Sequence, residues 1–201
     1  MAKRVVGIVG SYRKGHIIDS GVSAVLEGAR QAGAETTKIY LVDKHIEFCN
    51  NCRACTQKKT TEGERGKCVH DDDMEEILSQ IDKADAVVLG CPVNFFTVTA
   101  IMKRFIERLI VFAYWPWGAK VPRPRGKTGD KKAVIIASSA CPAFIARLLM
   151  PNALSVLKAA ANCMGAKVIK RLYFGTIAID RDQQLGQKAL KKAHQAGRKL
   201  T

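Results

Sequence analysis

Four cysteines in one short stretch carry the strongest chemical signal in this sequence. In FCNNCRACTQKKTTEGERGKC, residues 48–68, Cys49, Cys52 and Cys55 recur at every third position, and Cys68 follows after twelve intervening residues. Cysteines three apart on a tight loop can each reach a different iron of an iron-sulfur cluster, and thiolates are the ligands that clusters use. Four thiolates also suit tetrahedral zinc, although paired C-x-x-C spacing is absent. Unmetallated thiols are the third interpretation, and the stretch alone leaves all three open.

The apolar runs, the first residues and the number of cysteines indicate the cellular compartment. No apolar run reaches the roughly 20 residues that a membrane-spanning helix needs. The start, MAKRVVGIVGS, turns into a glycine loop before a signal-peptide core could form. We therefore expect a cytoplasmic protein without membrane contact, whose seven cysteines are reduced thiols, metal ligands or redox groups rather than structural disulfides.

The segment GSYRKGHIIDS, residues 10–20, has features that suit a phosphate. It leads from an apolar run into a helix start, so Ser11 and several backbone amides are available, and Arg13 and Lys14 add positive charge. It matches neither GxGxxG nor GxxxxGKS/T, which excludes a dinucleotide fingerprint and a Walker loop. A tight turn with an incidental arginine is the alternative.

Two more segments follow apolar runs. CPVNFFTVT, residues 91–99, offers Asn94, Phe95 and Phe96 where the next helix should begin, and SSACPAF occupies residues 138–144. A flat heteroaromatic ring could lie against such loops while main-chain groups bond its edge. The signal is weak by itself, because aromatic residues at a strand end are more often part of the core.

Periodicity predicts the elements that position these segments. Continuous apolar or β-branched runs, typical of strands buried in a parallel sheet, occur at 4–10, 35–43, 84–92, 131–140 and 167–177. Helical patterns occur at 19–34, where Asp19 or Ser20 could cap the start, and at 71–84, 98–115, 148–166 and 182–199. This alternation predicts an α/β, doubly wound parallel sheet with helices on both faces. The three segments should then meet beyond the carboxyl ends of the strands.

Together, GSYRKG and CPVNFF resemble loops of the flavodoxin-like NAD(P)H-dependent FMN reductase superfamily, and CNNCRAC with GKCVHDDD resembles its iron-sulfur flavoprotein branch. The resemblance covers nearly the whole chain. It implies a flavodoxin-like five-stranded sheet in the order 2-1-3-4-5. The length of 201 residues favours a single domain over 1–201. Composition marks a cysteine-rich loop at 48–70 and a basic Pro/Gly-rich loop at 114–131 within it.

The resemblance further implies an FMN site built from three loops. Its residues would be Ser11, Arg13, Ile17, Ile18 and Asp19 around the phosphate, Pro92, Val93, Asn94, Phe95, Phe96 and Thr97 beside the ring, and Ser138, Ser139, Ala140 and Cys141 on the other side. The family's loop often continues with Asn-Thr where this chain has Ile17-Ile18. Two side-chain hydrogen bonds to phosphate are therefore missing, and binding would rest more on backbone amides, Ser11 and Arg13, or on Ser20.

The same resemblance implies that Cys49, Cys52, Cys55 and Cys68 hold a 4Fe-4S cluster. This chain departs from the family's compact motif, because the gap before Cys68 is longer. Zinc and free thiols therefore remain alternatives to the cluster.

The implied activity is that of an enzyme, an FMN-dependent NAD(P)H oxidoreductase that reduces a quinone, a flavin or another acceptor. The flavin would take the hydride, so no catalytic side chain is required. Two alternatives remain, an electron-transfer iron-sulfur flavoprotein served by ferredoxin and a thiol-based redox-sensing binding protein. A homodimer or homotetramer is implied as well, because a neighbouring subunit often completes the flavin site in such proteins.

Charge is distributed unevenly along the chain. Residues 1–100 carry 13 Lys/Arg and 14 Asp/Glu, whereas residues 101–201 carry 20 and 4, which gives the total of +15. Most charge runs face solvent, and no motif with interleaved aromatics indicates nucleic-acid binding. Arg123, Arg125 and Lys127 could attract a nucleotide phosphate or an acidic electron carrier.

Overall fold

A five-stranded parallel sheet forms the centre of the computed structural model, which describes residues 2–61, 63–127 and 129–201, without the side chain of Arg147. Its strands are β1 (Arg4–Val9), β2 (Glu35–Tyr40), β3 (Ala86–Pro92), β6 (Lys131–Ser138) and β7 (Ala166–Phe174). They lie in the order β2-β1-β3-β6-β7 and all pair in parallel. Counted within this sheet, that is the predicted order 2-1-3-4-5, which is confirmed.

Burial follows the position of each strand in the sheet. The three inner strands are apolar on both faces, and almost every residue in them is buried. The edge strand β2 is only partly covered and the other edge strand, β7, has exposed residues along its middle. This is the pattern expected when helices cover both faces of a parallel sheet.

Helices form two layers around the sheet. Their bounds are α1 (Ile17–Gln31), α2 (Ala54–Gln57), α3 (Met74–Lys83), α4 (Ala100–Arg108), α5 (Ala143–Leu149), α6 (Asn152–Cys163) and α7 (Gln187–Gly197). The apolar residues of α1 and α7 pack on one face, whereas those of α3, α4 and α6 pack on the other. Within the described ranges, no helix is both long and apolar enough to cross a membrane.

The helix predicted over 98–115 is too long. Helix α4 ends at Arg108, a 3-10 turn spans Leu109–Phe112, and β4 (Ala113–Tyr114) pairs antiparallel with β5 (Arg123–Pro124). The physical reason is competition for backbone groups, because the Val111 carbonyl accepts from the N–H of Gly66 at 2.8 Å. The Phe112 carbonyl likewise accepts from Arg125 at 2.9 Å.

Two helix starts also differ from prediction. Helix α1 begins at Ile17, with His16 at its N-cap, so neither Asp19 nor Ser20 caps it. The last helix begins at Gln187 rather than at 182, because side chains hold the preceding residues in a loop. Asp180 accepts the N–H of Asp182 at 2.9 Å, and Gln183 donates to the carbonyl of Thr176 at 2.8 Å.

Close contact between α1 and α7 generates a stability prediction. A Cβ on Gly28 would lie 2.0 Å from the carbonyl oxygen of His194. A glycine-to-alanine change within a helix normally stabilises by about 1 kcal/mol. We expect the opposite sign for Gly28→Ala, a loss of about 2 kcal/mol or more from overpacking, measured by urea unfolding. Gly126→Ala is the control, since its Cβ would meet only the Cα of Gly63 at 4.0 Å, and an equal loss there would contradict the explanation.

Candidate functional site

A crevice of about 270 Å³ lies beyond the carboxyl ends of the strands. It brings together seven of the residues predicted to hold the cofactor, namely Ser11, Arg13, Ile17, Ile18, Pro92, Asn94 and Ser138. These residues lie at or just beyond the carboxyl ends of β1, β3 and β6, and Ile17 and Ile18 begin α1. The convergence expected for a doubly wound sheet is therefore present.

The end of the crevice nearest α1 presents free backbone donors. The N–H of Ser20 bonds the carbonyl of His16 at 2.8 Å and begins the helical ladder. The preceding amides of Ile17, Ile18 and Asp19 have no acceptor among the residues that the structure describes. Unpaired amides at a helix N-terminus, together with its dipole, form an anion site.

Asp19 supports this end of the crevice from below. Its carboxylate accepts the N–H of Gly15 at 2.6 Å, Nζ of Lys38 at 2.9 Å and the hydroxyl of Tyr40 at 3.1 Å. Burial alone would raise the pKa of Asp19, but these hydrogen bonds and the charge of Lys38 hold it below the ordinary value. The buried carboxylate thus fixes the loop, and only the amide of Asp19 is available to an anion.

The opposite end of the crevice is lined by Pro92, Asn94 and Ser138. The N–H of Val93 donates to the carbonyl of Ser138 at 2.7 Å, which holds the loops after β3 and β6 together. The hydroxyl of Ser138 is buried, and no partner for it occurs in the described part of the chain. A buried polar group without a partner is uncommon, so this hydroxyl fits a ligand with polar atoms at its edge.

Phe95 and Phe96 form the tip of a tight turn beside the crevice. Asn94 and Thr97 exchange two backbone hydrogen bonds, of 2.9 and 3.1 Å, across the turn. Both phenylalanines have positive φ, 45° and 67°, and are 95% and 57% exposed. A bulky residue at positive φ is strained. The turn therefore holds two aromatic side chains in solvent, next to the crevice rather than in its wall.

The remaining predicted contacts, which include Ser139, Ala140 and Cys141, do not line the crevice. Ser139 is buried and donates its N–H to the carbonyl of Phe174 at 3.0 Å, and its hydroxyl donates to Cys141 O at 3.2 Å. The carbonyl of Cys141 also accepts the N–H of Thr176 at 3.0 Å. Ala140 is exposed. These bonds tie the loop after β6 to the end of β7.

Sequence reasoning missed the fourth wall of the crevice. It comes from the loop after β7 and contains Ile177, Asp180, Arg181 and Gln183. The guanidinium of Arg13 donates to the carbonyl of Arg181 at 2.5 Å, which closes the crevice at this side. The predicted fifth strand could have indicated this contribution, because the loop after a parallel strand emerges at the same edge of the sheet as the other three loops.

The four clustered cysteines line a second cavity, of about 410 Å³. The wall of this cavity is also formed by other residues of the cysteine-rich loop and by residues of α4, and the four cysteines in it are Cys49, Cys52, Cys55 and Cys68. No three His, Cys, Asp or Glu side chains of the described ranges lie close enough together to hold a single metal ion. Burial, followed by the proximity of the other three thiols, raises the pKa of Cys55 to about 11.

Cys68 returns to this cavity because the intervening chain is held against the protein. A Cβ on Gly66 would lie 1.8 Å from the carbonyl oxygen of Cys55, so only glycine fits at this contact. Arg125 donates to the carbonyls of Cys55 and Lys58, at 3.1 and 2.9 Å. Arg125 therefore serves the loop structure, which weakens its predicted part in attracting a substrate.

Arg53 locks the other side of the cysteine loop. Its guanidinium lies between two indole rings, 3.8 Å from the centroid of Trp115 and 4.2 Å from that of Trp117. It also donates to the carbonyl of Trp115 at 2.6 Å. Arginine stacked on tryptophan is among the stronger cation–π arrangements, and here it joins the residue between Cys52 and Cys55 to the segment after β4.

A buried ion pair closes the cavity from within. The guanidinium of Arg108 donates to both carboxylate oxygens of Asp72, at 2.6 and 3.2 Å, and to the carbonyl of Glu47 at 2.8 Å. The two side chains are only 2% and 0% exposed. Asp72 also accepts the N–H groups of Glu47 and Met74, at 2.7 and 3.0 Å. Burial would raise the pKa of Asp72, but Arg108 and these amides hold it below the ordinary value.

Three residues of the cavity wall, Arg53, His70 and Arg108, each have a buried nitrogen without a partner in the described ranges. They are Nε of both arginines and Nε2 of His70. Four thiols together with such nitrogens fit a bulky group whose metal atoms bind cysteine thiolates and whose sulfur atoms accept hydrogen bonds.

Comparison with known proteins adds an independent finding. The family model described as NADPH-dependent FMN reductase matches residues 3–176. An iron-sulfur flavoprotein of Archaeoglobus fulgidus is 33% identical over 197 residues, which are 98% of this chain and 78% of that protein. An iron-sulfur flavoprotein of Methanocaldococcus jannaschii is 36% identical over 105 residues, 52% of this chain and 51% of its own length.

Solved structures agree on the fold. An NAD(P)H:quinone oxidoreductase from Methanothermobacter marburgensis matches with a TM-score of 0.72 at 16% identity, and the match covers 100% of both chains. An FMN-dependent NADH-azoreductase from Bacillus anthracis, in complex with FMN, matches with a TM-score of 0.66 at 15% identity over 99% of this chain and 97% of that one. These identities support the shared fold only.

The Asp72–Arg108 pair generates a pH prediction. Asp72→Asn should lower the free energy of unfolding by about 3 kcal/mol at neutral pH, because it leaves a buried guanidinium uncompensated. A lowered pKa stabilises the folded state above the ordinary value of about 4, and this contribution is lost as pH falls through the lowered pKa. The variant should therefore lose less stability than the wild type during acidification, measured by urea unfolding at stepped pH. Exposed Asp71→Asn is the control, and parallel curves for Asp72→Asn and wild type would contradict the assignment.

Proposed function

Because the chain belongs to the NADPH-dependent FMN reductase family, in its iron-sulfur flavoprotein branch, we propose that it reduces a quinone, a flavin or another acceptor through bound FMN. Family membership makes it an NAD(P)H-dependent flavin oxidoreductase. The observation that carries the proposal is the crevice, which has free amides at one end and the buried, unpartnered Ser138 hydroxyl at the other. An elongated ligand with a phosphate and a polar ring suits these two ends.

The phosphate end would work mainly through the backbone. The amides of Ile17, Ile18 and Asp19 would donate to phosphate oxygens, and the nearby charge of Arg13 would add to the helix dipole. Ser11 supports the loop, because its hydroxyl oxygen accepts the N–H of Arg13 at 3.1 Å. This arrangement offsets the missing Asn-Thr side chains of the family's loop.

The ring end would be formed by Pro92, Asn94 and Ser138. We retain Val93, Phe95, Phe96, Thr97, Ser139, Ala140 and Cys141 as proposed neighbours of the ring. FMN, when bound, supplies the chemistry by taking a hydride from NAD(P)H and passing two electrons on to an acceptor. The chain's own task is to orient the ring and leave one face open, next to the exposed Phe95 and Phe96.

Arg13 allows a test of the phosphate end. Arg13→Gln should weaken FMN binding about tenfold, because it removes the positive charge that would lie near the phosphate. Riboflavin, which lacks the phosphate, should bind the variant and the wild type equally, as measured by quenching of flavin fluorescence. Lys14→Gln is the matched control, since Lys14 pairs with Asp43 at 2.5 Å. If the wild type bound FMN no better than riboflavin, the phosphate site would be wrong.

We also propose that Cys49, Cys52, Cys55 and Cys68 hold a 4Fe-4S cluster. Support comes from their common cavity of about 410 Å³ and from the unpaired nitrogens around it. A mononuclear zinc site needs all four sulfurs within about 2.3 Å of one ion, a convergence that no three described side chains approach. When bound, a cluster supplies one-electron transfer, and the thiols' task is to hold it in the cavity.

Cysteine replacement tests the cluster. Cys68→Ser should reduce iron and acid-labile sulfide to less than about half of the wild-type content, because thiolate is the preferred cluster ligand. FMN content should stay unchanged, since Cys68 is not part of the crevice. Cys163→Ser is the control, because its thiol contacts the carbonyl of Leu109 outside the cavity. Anaerobic purification followed by iron, sulfide and flavin analysis decides the matter, and an iron-free wild type would refute the cluster.

A second candidate is an electron-transfer flavoprotein served by ferredoxin. The cysteine cavity favours it, because a cluster would give the protein a one-electron entry route in addition to NAD(P)H. Steady-state turnover with NADPH and NADH distinguishes the two, since a pure carrier would show almost none. A cytoplasmic location and a homodimer or homotetramer remain part of the proposal. Exposed apolar side chains such as Phe95, Phe144 and Leu148 support self-association.

A further inference from the structure

Arg108 is a buried cation in the wall of the cysteine cavity. Its side chain is 2% exposed, yet it lines the cavity together with Cys55 and Cys68. Its terminal nitrogens are occupied by Asp72 and the carbonyl of Glu47, whereas Nε is buried without an acceptor in the described chain. The side chain therefore brings both a positive charge and an unused N–H donor to this cavity.

The orientation of the ion pair matters for the field inside the cavity. Asp72 neutralises Arg108 overall, but only Arg108 belongs to the cavity wall. The positive side of the pair therefore faces the four thiols. Besides Arg53 and Arg108, the cavity is lined by the carboxylate residue Glu107. Its side chain is 43% exposed and pairs with Lys103 at 3.1 Å. Solvent screens such an exposed pair far more than the buried one.

We propose that Arg108 tunes the reduction potential of the cluster held by the four cysteines. This inference rests on the proposed function. The potential of an iron-sulfur centre depends on net charge, on hydrogen bonds to its sulfur atoms and on solvent exposure. Reduction adds negative charge, which a buried guanidinium stabilises, and the Nε–H donates to a sulfur atom of the cluster or of Cys68. Both effects raise the potential and favour the reduced cluster.

The test compares two variants that should shift the cluster potential in opposite directions. Asp72→Asn/Arg108→Gln removes both charges together with the Nε–H donor, so the cluster should become harder to reduce. We expect at least a tenfold smaller one-electron reduction constant, which corresponds to about 59 mV. Asp72→Asn alone leaves the guanidinium without its neutralising partner, so the potential should rise. A purely structural role would not move the two variants in opposite directions.

The measurement is an anaerobic potentiometric titration of the intact holoprotein. Electron paramagnetic resonance would follow the reduced cluster, and visible absorbance would follow the flavin in the same samples. The flavin potential should remain unchanged, because Arg108 and Asp72 do not line the crevice. If the double variant does not fold, Arg108→Lys replaces it. That variant keeps the charge but loses the Nε–H, so a smaller fall in potential is expected.

Three results would overturn the inference. The first is a cluster potential that stays at the wild-type value in the folded variants. The second is a shift in the same direction for Asp72→Asn and for Asp72→Asn/Arg108→Gln. The third applies if the double variant does not fold, and is an unchanged potential in Arg108→Lys. Any of these would leave the proposed function intact, because iron, sulfide and FMN would still be present. A wild type that holds no iron would instead refute the proposed cluster and this inference together.

Discussion

The ion pair between Asp72 and Arg108 is the constraint on which the cysteine region depends. Asp72 receives hydrogen bonds from Arg108, from the N–H of Glu47 and from the N–H of Met74. One carboxylate thus joins the chain before the first cysteine, the chain after the last one and the end of α4. Breaking a buried pair of this kind leaves an uncompensated charge, which is why the pair acts as a structural closure. Both ends of the stretch are thereby fixed, and Gly66, Arg53 and Arg125 supply further contacts within it, those of Arg125 from a distant part of the sequence.

The crevice likewise depends on hydrogen bonds between loops at the edge of the sheet. Val93 and Ser138 join the loops after β3 and β6, Ser139 joins the latter to β7, and Arg13 joins the loop after β1 to that after β7. Each bond connects segments that are distant in the sequence. The protein's own hydrogen bonds therefore hold the crevice in shape, and its free donors include the amides of Ile17, Ile18 and Asp19 and the Ser138 hydroxyl. These backbone donors do not depend on the Asn-Thr side chains that the family often has where this chain has Ile17 and Ile18.

The fold could be predicted because its signals are local. Apolar runs such as residues 4–10 and 84–92 indicate strands, and their alternation with helical patterns leaves few possible topologies. The details of the sites could not be predicted, because they depend on contacts between distant residues. Arg108 lies in an amphipathic helical pattern, where charge usually indicates solvent, and only the tertiary position of Asp72 reveals its burial. The prediction of one helix over 98–115 was wrong for the same reason. The backbone N–H groups of Gly66 and Arg125 bond the carbonyls of Val111 and Phe112.

Helix α4 connects the two sites physically. At its N-terminus, Thr99 caps the helix by accepting the N–H of Met102 and donates its hydroxyl to the carbonyl of Gly10, at the base of the crevice loop. At its other end, Arg108 forms the wall of the cysteine cavity. The helix has 9 residues, and at a rise of 1.5 Å per residue it spans roughly 14 Å. Both ends of α4 are thus anchored by buried side chains, Thr99 beside the crevice loop and Arg108 in the cavity wall. Helix α4 therefore sets the distance between the crevice loop and the part of the cavity wall that Arg108 forms.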